Sequence, residues 1–84
     1  MEIIGRYATI PPILPSVIRA RLYEFHGRDL WWAVEITIGA IRLSLDHYRT
    51  REHAIAMARA HLEAVHRDHT GRGIAVSPIQ WAEA

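Results

Sequence analysis

The chain has no cysteine, which excludes disulfide cross-links and thiolate chemistry alike. It has no lysine either, so all ten basic residues are arginine. Arginine favours planar, bidentate contacts with carboxylates and phosphates, but GC-rich codon usage is the plainer source of such a bias. No apolar run is long enough to span a bilayer. The opening MEIIGRYATIPP lacks the basic segment and apolar run of a secretory signal. The setting expected from these absences is the cytoplasm, of a bacterial cell or an infected host. A net charge of +1 supplies no global field to draw in nucleic acid. There is no glycine-rich phosphate loop, because Gly71-Arg72-Gly73 follows a helical run instead of opening one. Ser44 stands in no nucleophile-elbow context. The neighbours Asp46-His47 and Asp68-His69 diverge in a strand or a helix. These absences argue against an enzyme, and nothing in the sequence implies a cofactor.

What is present is one small domain. Eighty-four residues, half of them hydrophobic, suffice for one core, burying roughly 60–65% of the unfolded surface and leaving little room for a deep cleft. The strongest helical run is Thr50 to His69, TREHAIAMARAHLEAVHRDH. Thr50 is the expected N-cap, Glu52 suits the positive end of the dipole, and Gly71 is the expected left-handed residue at the C-terminus. At helical spacing Ile55, Ala58, Leu62 and Val65 form a core stripe. Roughly opposite, Met57, Ala60 and Ala64 form a second stripe, a candidate dimer surface, although alanine there also serves helix propensity alone.

Alternation places three strands before the helix. In Val17–His26, Ile18, Ala20 and Leu22 share one face, and Arg19, Arg21, Tyr23 and Phe25 the other. In Leu30–Ile38, the inward set is Leu30, Trp32, Val34, Ile36 and Ile38, with Trp31, Ala33, Glu35 and Thr37 turned away. In Ile41–Tyr48, the pattern sets Ile41, Leu43 and Leu45 inward and Arg42, Ser44 and Asp46 outward. Residues 1–16 read as an extended arm stiffened by Pro11, Pro12 and Pro15, with Glu2-Ile3-Ile4 a short strand or a flap and Ile10, Ile13 and Leu14 laid against the body. Residues 17–84 read as the domain. Ile74-Ala75-Val76 reads as a brief edge strand, and Ile79 and Trp81 as a final apolar anchor. The fold class expected is α+β: a three- to four-stranded antiparallel meander with one long helix packed on one face, in the order βββαβ.

The run Trp32-Ala33-Val34, followed by Thr50, Glu52, Ala54 and Ala58-Arg59 on the helix, resembles two families. One is the small bacterial ββαβ domains of unknown function. The other is the N-terminal domain of HicB-type antitoxins, which also place a T-x-E-x-A helix start after a strand hairpin. The resemblance spans roughly Leu22 to Pro78. The antitoxin likeness implies neutralisation of a partner toxin, but with no separate DNA-binding domain after the helix it carries no repressor role.

The sheet face turned away from the helix is the candidate working surface. It sets Tyr23, Phe25 and Trp31 beside Arg19, Arg21 and Arg42. Tryptophan, tyrosine and arginine are the residue types favoured at protein hot spots, so Arg19, Arg21, Tyr23, Trp31 and Arg42 are the expected contacts to a partner protein. Aromatics among arginines also suit stacked bases, but Glu35 and Asp46 share the expected face, which ranks nucleic acid below protein. Coverage of the face by the N-terminal arm ranks second, after protein contact and ahead of nucleic acid. Six histidines invite a metal-binding alternative, yet only His66 and His69 have chelating helical spacing, and no metal ligand is assigned. Stand-alone domains of this size and composition include toxin neutralisers, regulators and phage inhibitors of host defence of the anti-CRISPR type.

Overall fold

Two long runs of alternating residues pair with each other and set the frame for the rest. The computed structural model describes residues 1–11 and 15–82. Its elements are β1 (Glu2–Ala8), β2 (Val17–His26), β3 (Leu30–Ile38), β4 (Ile41–Tyr48), α1 (Arg51–Gly71) and β5 (Gln80–Trp81). The strands form one sheet in the order β4-β3-β2-β1-β5, antiparallel throughout, and α1 packs on one face. The chain is therefore a small α+β domain with a five-stranded antiparallel sheet and one covering helix.

β2 and β3 pair without a break from Ile18↔Ile38 to His26↔Leu30. Opposed residues in such a ladder share a face, so Ile18, Ala20 and Leu22 meet Val34 and Ile36 beneath the helix. The helix answers with Ala54, Ala58 and Leu62, all fully buried, flanked by Ile55 and Val65. α1 is the one long helix among the described residues, and none is long and apolar enough to cross a membrane.

Thr50 caps α1 as expected: its Oγ1 accepts from the His53 N–H at 3.1 Å. The other end differs from expectation. The helix continues through Gly71, and the left-handed residue is Gly73, at φ +76°. The Gly73 N–H donates to the Thr70 carbonyl at 3.0 Å and the Ile74 N–H to the His69 carbonyl at 2.9 Å. These are the two bonds of a Schellman motif. Gly71 is bypassed because the Arg72 N–H still reaches the Asp68 carbonyl at 3.1 Å.

Three other expectations change. The division into an arm (1–16) and a domain (17–84) does not hold, because Glu2–Ala8 is a strand inside the sheet, between β2 and β5. Ile4 and Tyr7 from this strand are core residues. The pairing with β2 shifts between Ile3 and Gly5, and a glycine and an irregularity both blur a period-two pattern. Ile10 is 41% exposed instead of lying against the body, while Pro12, Ile13 and Leu14 fall outside the described residues. The brief strand expected at Ile74–Val76 reduces to a single bridge, Thr9↔Val76, and the strand that forms is β5, where Trp81 anchors as expected.

The correction with most consequence is in β4. Ile41, Leu43 and Leu45, expected inward, are 65%, 48% and 38% exposed. The two-residue turn at Gly39 (φ +56°) opposes Ile38 to Ile41, so an uninterrupted ladder would indeed have put Leu43 and Leu45 under the helix. Instead the register slips between Ile36↔Ser44 and Thr37↔Arg42. One extra residue in β4 transfers every later side chain to the other face. Ser44, Asp46 and Tyr48 now face the helix, half-buried, and Asp46 meets His61 of α1 at 3.7 Å. Leu43, Leu45 and His47 face outward.

Candidate protein interaction surface

The sheet face opposite α1 is crossed by no described element. β2 sends Arg19, Arg21, Tyr23 and Phe25 to it, β3 sends Trp31, Ala33, Glu35 and Thr37, and β4 sends Arg42, Leu43, Leu45 and His47. All five residues expected to contact a partner, Arg19, Arg21, Tyr23, Trp31 and Arg42, lie here. Arg42 does so alongside Leu43 and Leu45 rather than opposite them, because of the extra residue. The described residues of the arm do not cover this face, since β1 pairs edge to edge with β2.

Cross-strand pairing organises the aromatics. Phe25 opposes Trp31, and their rings stack at 4.4 Å with planes 12° apart. The edge of His47 meets Trp31 at 4.5 Å. Between this group and Leu45 the small Ala33 leaves a hollow of about 210 Å³, walled by Tyr23, Phe25, Leu45 and His47 and closed at one end by Glu35 and Arg42. His47 also borders a second hollow of about 380 Å³, which runs past Trp31 to Arg28 and Arg49. The residues that sequence reasoning missed are Leu43 and Leu45, which alternation assigned to the wrong side, His47, to which it assigned no side, and Ala33, whose contribution is its smallness.

Glu35 is 8% exposed, and two donors hold its carboxylate: the Tyr23 hydroxyl at 3.1 Å and the Arg42 Nε–H at 2.8 Å. Burial of a carboxylate requires such partners, and here the Arg42 guanidinium balances its charge within the face. Arg19 and Arg21 make no ion pair among the described residues. Arg21 Nε and Thr37 Oγ1 are covered yet have no hydrogen-bond partner among the described residues, an uncommon condition for buried polar atoms. Both belong to this same face.

The second helix stripe points to solvent: Ala60 and Ala64 are exposed and Met57 is half-buried. His66 and His69 both pack edge-on against Tyr7, while His47 and His53 have separate aromatic neighbours. His69 Nδ1 accepts from the Tyr7 hydroxyl at 2.6 Å, with the neutral tautomer assumed. His66 Nε2 meets the Ser77 carbonyl at 3.0 Å, and His53 packs edge-on against Tyr48. Among the described residues no three histidine or acidic side chains gather in a group able to hold a metal ion.

Tyr7 supplies a pH dependence. Burial, and secondarily the charge of Asp68, push its phenol up to about 12 from the ordinary 10.0. Tyr48 is raised too, by burial and then Asp46. The unfolded chain thus releases these protons before the folded one does. The stability that Tyr7 contributes is complete below pH 10 and is lost as pH rises towards 12, at up to about 1.4 kcal/mol per unit. Urea midpoints measured from pH 9 to 12 are expected to fall in the parent and to fall less steeply in Tyr7→Phe. An equal slope in both would remove Tyr7 as the cause.

Against family models, curated proteins and solved structures the chain has no match, so the surface is read from its own geometry.

Proposed function

We propose that the protein acts by stoichiometric contact with a partner protein, through the open sheet face, and not by turnover. The single observation that carries this is the apolar character of that face. The extra residue in β4 adds Leu43 and Leu45 to Phe25, Trp31 and Tyr23, around a hollow floored by Ala33. Aromatic and aliphatic anchors beside a small pocket, rimmed by arginines, are the usual anatomy of a protein hot spot. A partner acceptor would also engage Arg19 and Arg21, which have no ion pair within the described chain. Stacked bases fit less well, because a phosphate backbone gains nothing from exposed leucines and Arg42 is already committed to Glu35. Inhibitor, regulator or toxin neutraliser are the roles open to such a binder, including a phage inhibitor of host defence of the anti-CRISPR type. The reading includes a cytoplasmic setting, in a bacterial cell or an infected host.

The test is affinity capture from lysate of the native host with four proteins: the parent, Trp31→Ala, Ala33→Arg and the helix variant Ala60→Glu. A partner bound at fixed stoichiometry by the parent and by Ala60→Glu, and lost with Trp31→Ala and Ala33→Arg while both retain their fold by circular dichroism, is the expected result. Retention by both sheet variants would overturn the assignment. So would salt-sensitive binding of single-stranded oligonucleotides that disappears with Trp31→Ala, which would move the function to nucleic acid.

A further inference from the structure

The two edges of the sheet are finished differently. Beyond β1, the segment 75–82 runs alongside. The Ala82 N–H donates to the Ile4 carbonyl, the Ser77 N–H to the Ala8 carbonyl, and the Ile10 N–H to the Ala75 carbonyl, at 2.8, 2.8 and 3.0 Å. The opposite edge is β4, eight residues long, and among the described residues nothing pairs along its free side. Edge strands are ordinarily protected by charged side chains, proline or a bulge, or by being short. β4 is long and carries no proline, and its charged residues, Arg42 and Asp46, lie against Glu35 and His61 of its own chain. Its one irregularity, the extra residue Leu43 between Arg42 and Ser44, leaves Ser44–Tyr48 as a regular row with open donors and acceptors, and Leu43 and Leu45 are exposed beside it.

We propose that two copies of this chain pair β4 against β4, antiparallel, about a two-fold axis at Leu45, joining their sheets into one. The sequence of β4 selects this register. A two-fold perpendicular to the sheet must set one residue opposite its own copy. Centred on Leu45, it opposes Leu45 to Leu45 and Ser44 to Asp46 within the regular row, and brings the extra residue Leu43 opposite His47. Leu43 of the second copy then covers the His47 ring, which already leans on Trp31, and the Ser44 hydroxyl donates to the Asp46 carboxylate across the axis. Centred on Asp46, the pairing sets like charges face to face, which is unfavourable. Centred on Ser44, it opposes Arg42 to Asp46, but these lie on opposite faces, Arg42 with Glu35 and Asp46 with His61. Centres at Leu43 and His47 fall on the irregularity or run off the strand.

The axis keeps both helices on one side and brings the two open faces side by side, so the surface facing a partner doubles. The pairing does not depend on what that partner is. The contact is one strand edge and not a broad face, so association is expected to depend on concentration.

Sedimentation equilibrium over a wide concentration range tests it. The parent is expected to shift from the 9.6 kDa monomer mass to twice that, while Leu45→Arg, which opposes two guanidinium groups on the axis, stays at the monomer mass with its thermal melt intact. Since the chain has no cysteine, Leu45→Cys provides a second measurement independent of that variant. Under mild oxidation it is expected to cross-link to a dimer, and Ile41→Cys and Ala60→Cys are not. Monomer mass at all concentrations overturns the proposal. Equal cross-linking at all three positions, or a dimer broken by Ala60→Glu but not by Leu45→Arg, overturns it equally and places any association elsewhere.

Discussion

Leu62→Ala is expected to destabilise the domain by about 2–5 kcal/mol, the range for a large apolar side chain removed from a packed core. Leu45→Ala is expected to change the monomer's stability by less than about 0.5 kcal/mol, as at ordinary surface sites. Leu62 has no exposed surface, sits between Ala58 and Val65 on the buried side of α1, and reaches the backbone of β1 at Gly5. Its loss leaves a cavity bounded by a helix and a sheet, neither of which can collapse without breaking pairing elsewhere. A domain of this size has a total stability of only about 4–13 kcal/mol at 0.05–0.15 kcal/mol per residue, so the first variant is left marginal. Leu45 faces away from all of this. Urea denaturation of both variants, at protein concentrations low enough to keep the chain monomeric, measures the contrast. If Leu45→Ala proved as damaging as Leu62→Ala, β4 would have its apolar side under the helix after all, and the open face would lose its leucines.

That contrast also marks where the sequence is legible and where it is not. β2 and β3 have unbroken alternation and an unbroken ladder, so Arg19, Arg21, Tyr23 and Trp31 are placed correctly from the pattern alone. The core stripe of α1 and the Thr50 cap are equally plain, because each is a local property of a few residues. β4 has alternation just as clean, IRLSLDH, and it misleads. Alternation reports which residues share a face but not which face, and the link to β3 is severed by one extra residue. Leu43 and Leu45 therefore read as core from the sequence while lying on the surface. β1 fails for a different reason. Its partners lie on β2 and in the last residues of the chain, and Gly5 interrupts the pattern where the Trp81 ring needs space. The candidate site was half legible: its cationic and aromatic members came from pattern, while its apolar members and the Ala33 hollow come from register and side-chain size.

Gly5→Ala is the second substitution with a large expected effect, about 1–3 kcal/mol of destabilisation from overpacking. A Cβ at Gly5 would lie 2.6 Å from Trp81 Cε3, 2.9 Å from Cζ3 and 3.0 Å from Leu62 Cδ2. Gly5 is paired with Trp81 across the β1–β5 ladder, so the indole lies flat over the missing side chain, with the Arg59 guanidinium 5.4 Å from the ring centre. Two outcomes compete for the clash. Leu62 cannot withdraw without opening the core, which costs as much as the leucine deletion argued above. β5 is two residues long, so Trp81 can lift away at the cost of its packing, the cation–π contact and the Ala82-to-Ile4 hydrogen bond. The lesser cost prevails, and the substitution is expected to undock the C-terminal segment while β1 to β4 and α1 stay folded. Proteolysis of the tail should accelerate accordingly. Relief should come from the partner side: Gly5→Ala combined with Trp81→Leu is expected to be less destabilised than the sum of the two single variants, by about 0.5–3 kcal/mol, as contacting residues couple. Strict additivity in urea midpoints would mean that the ring and the glycine do not touch, and that β5 is held by its backbone bonds alone.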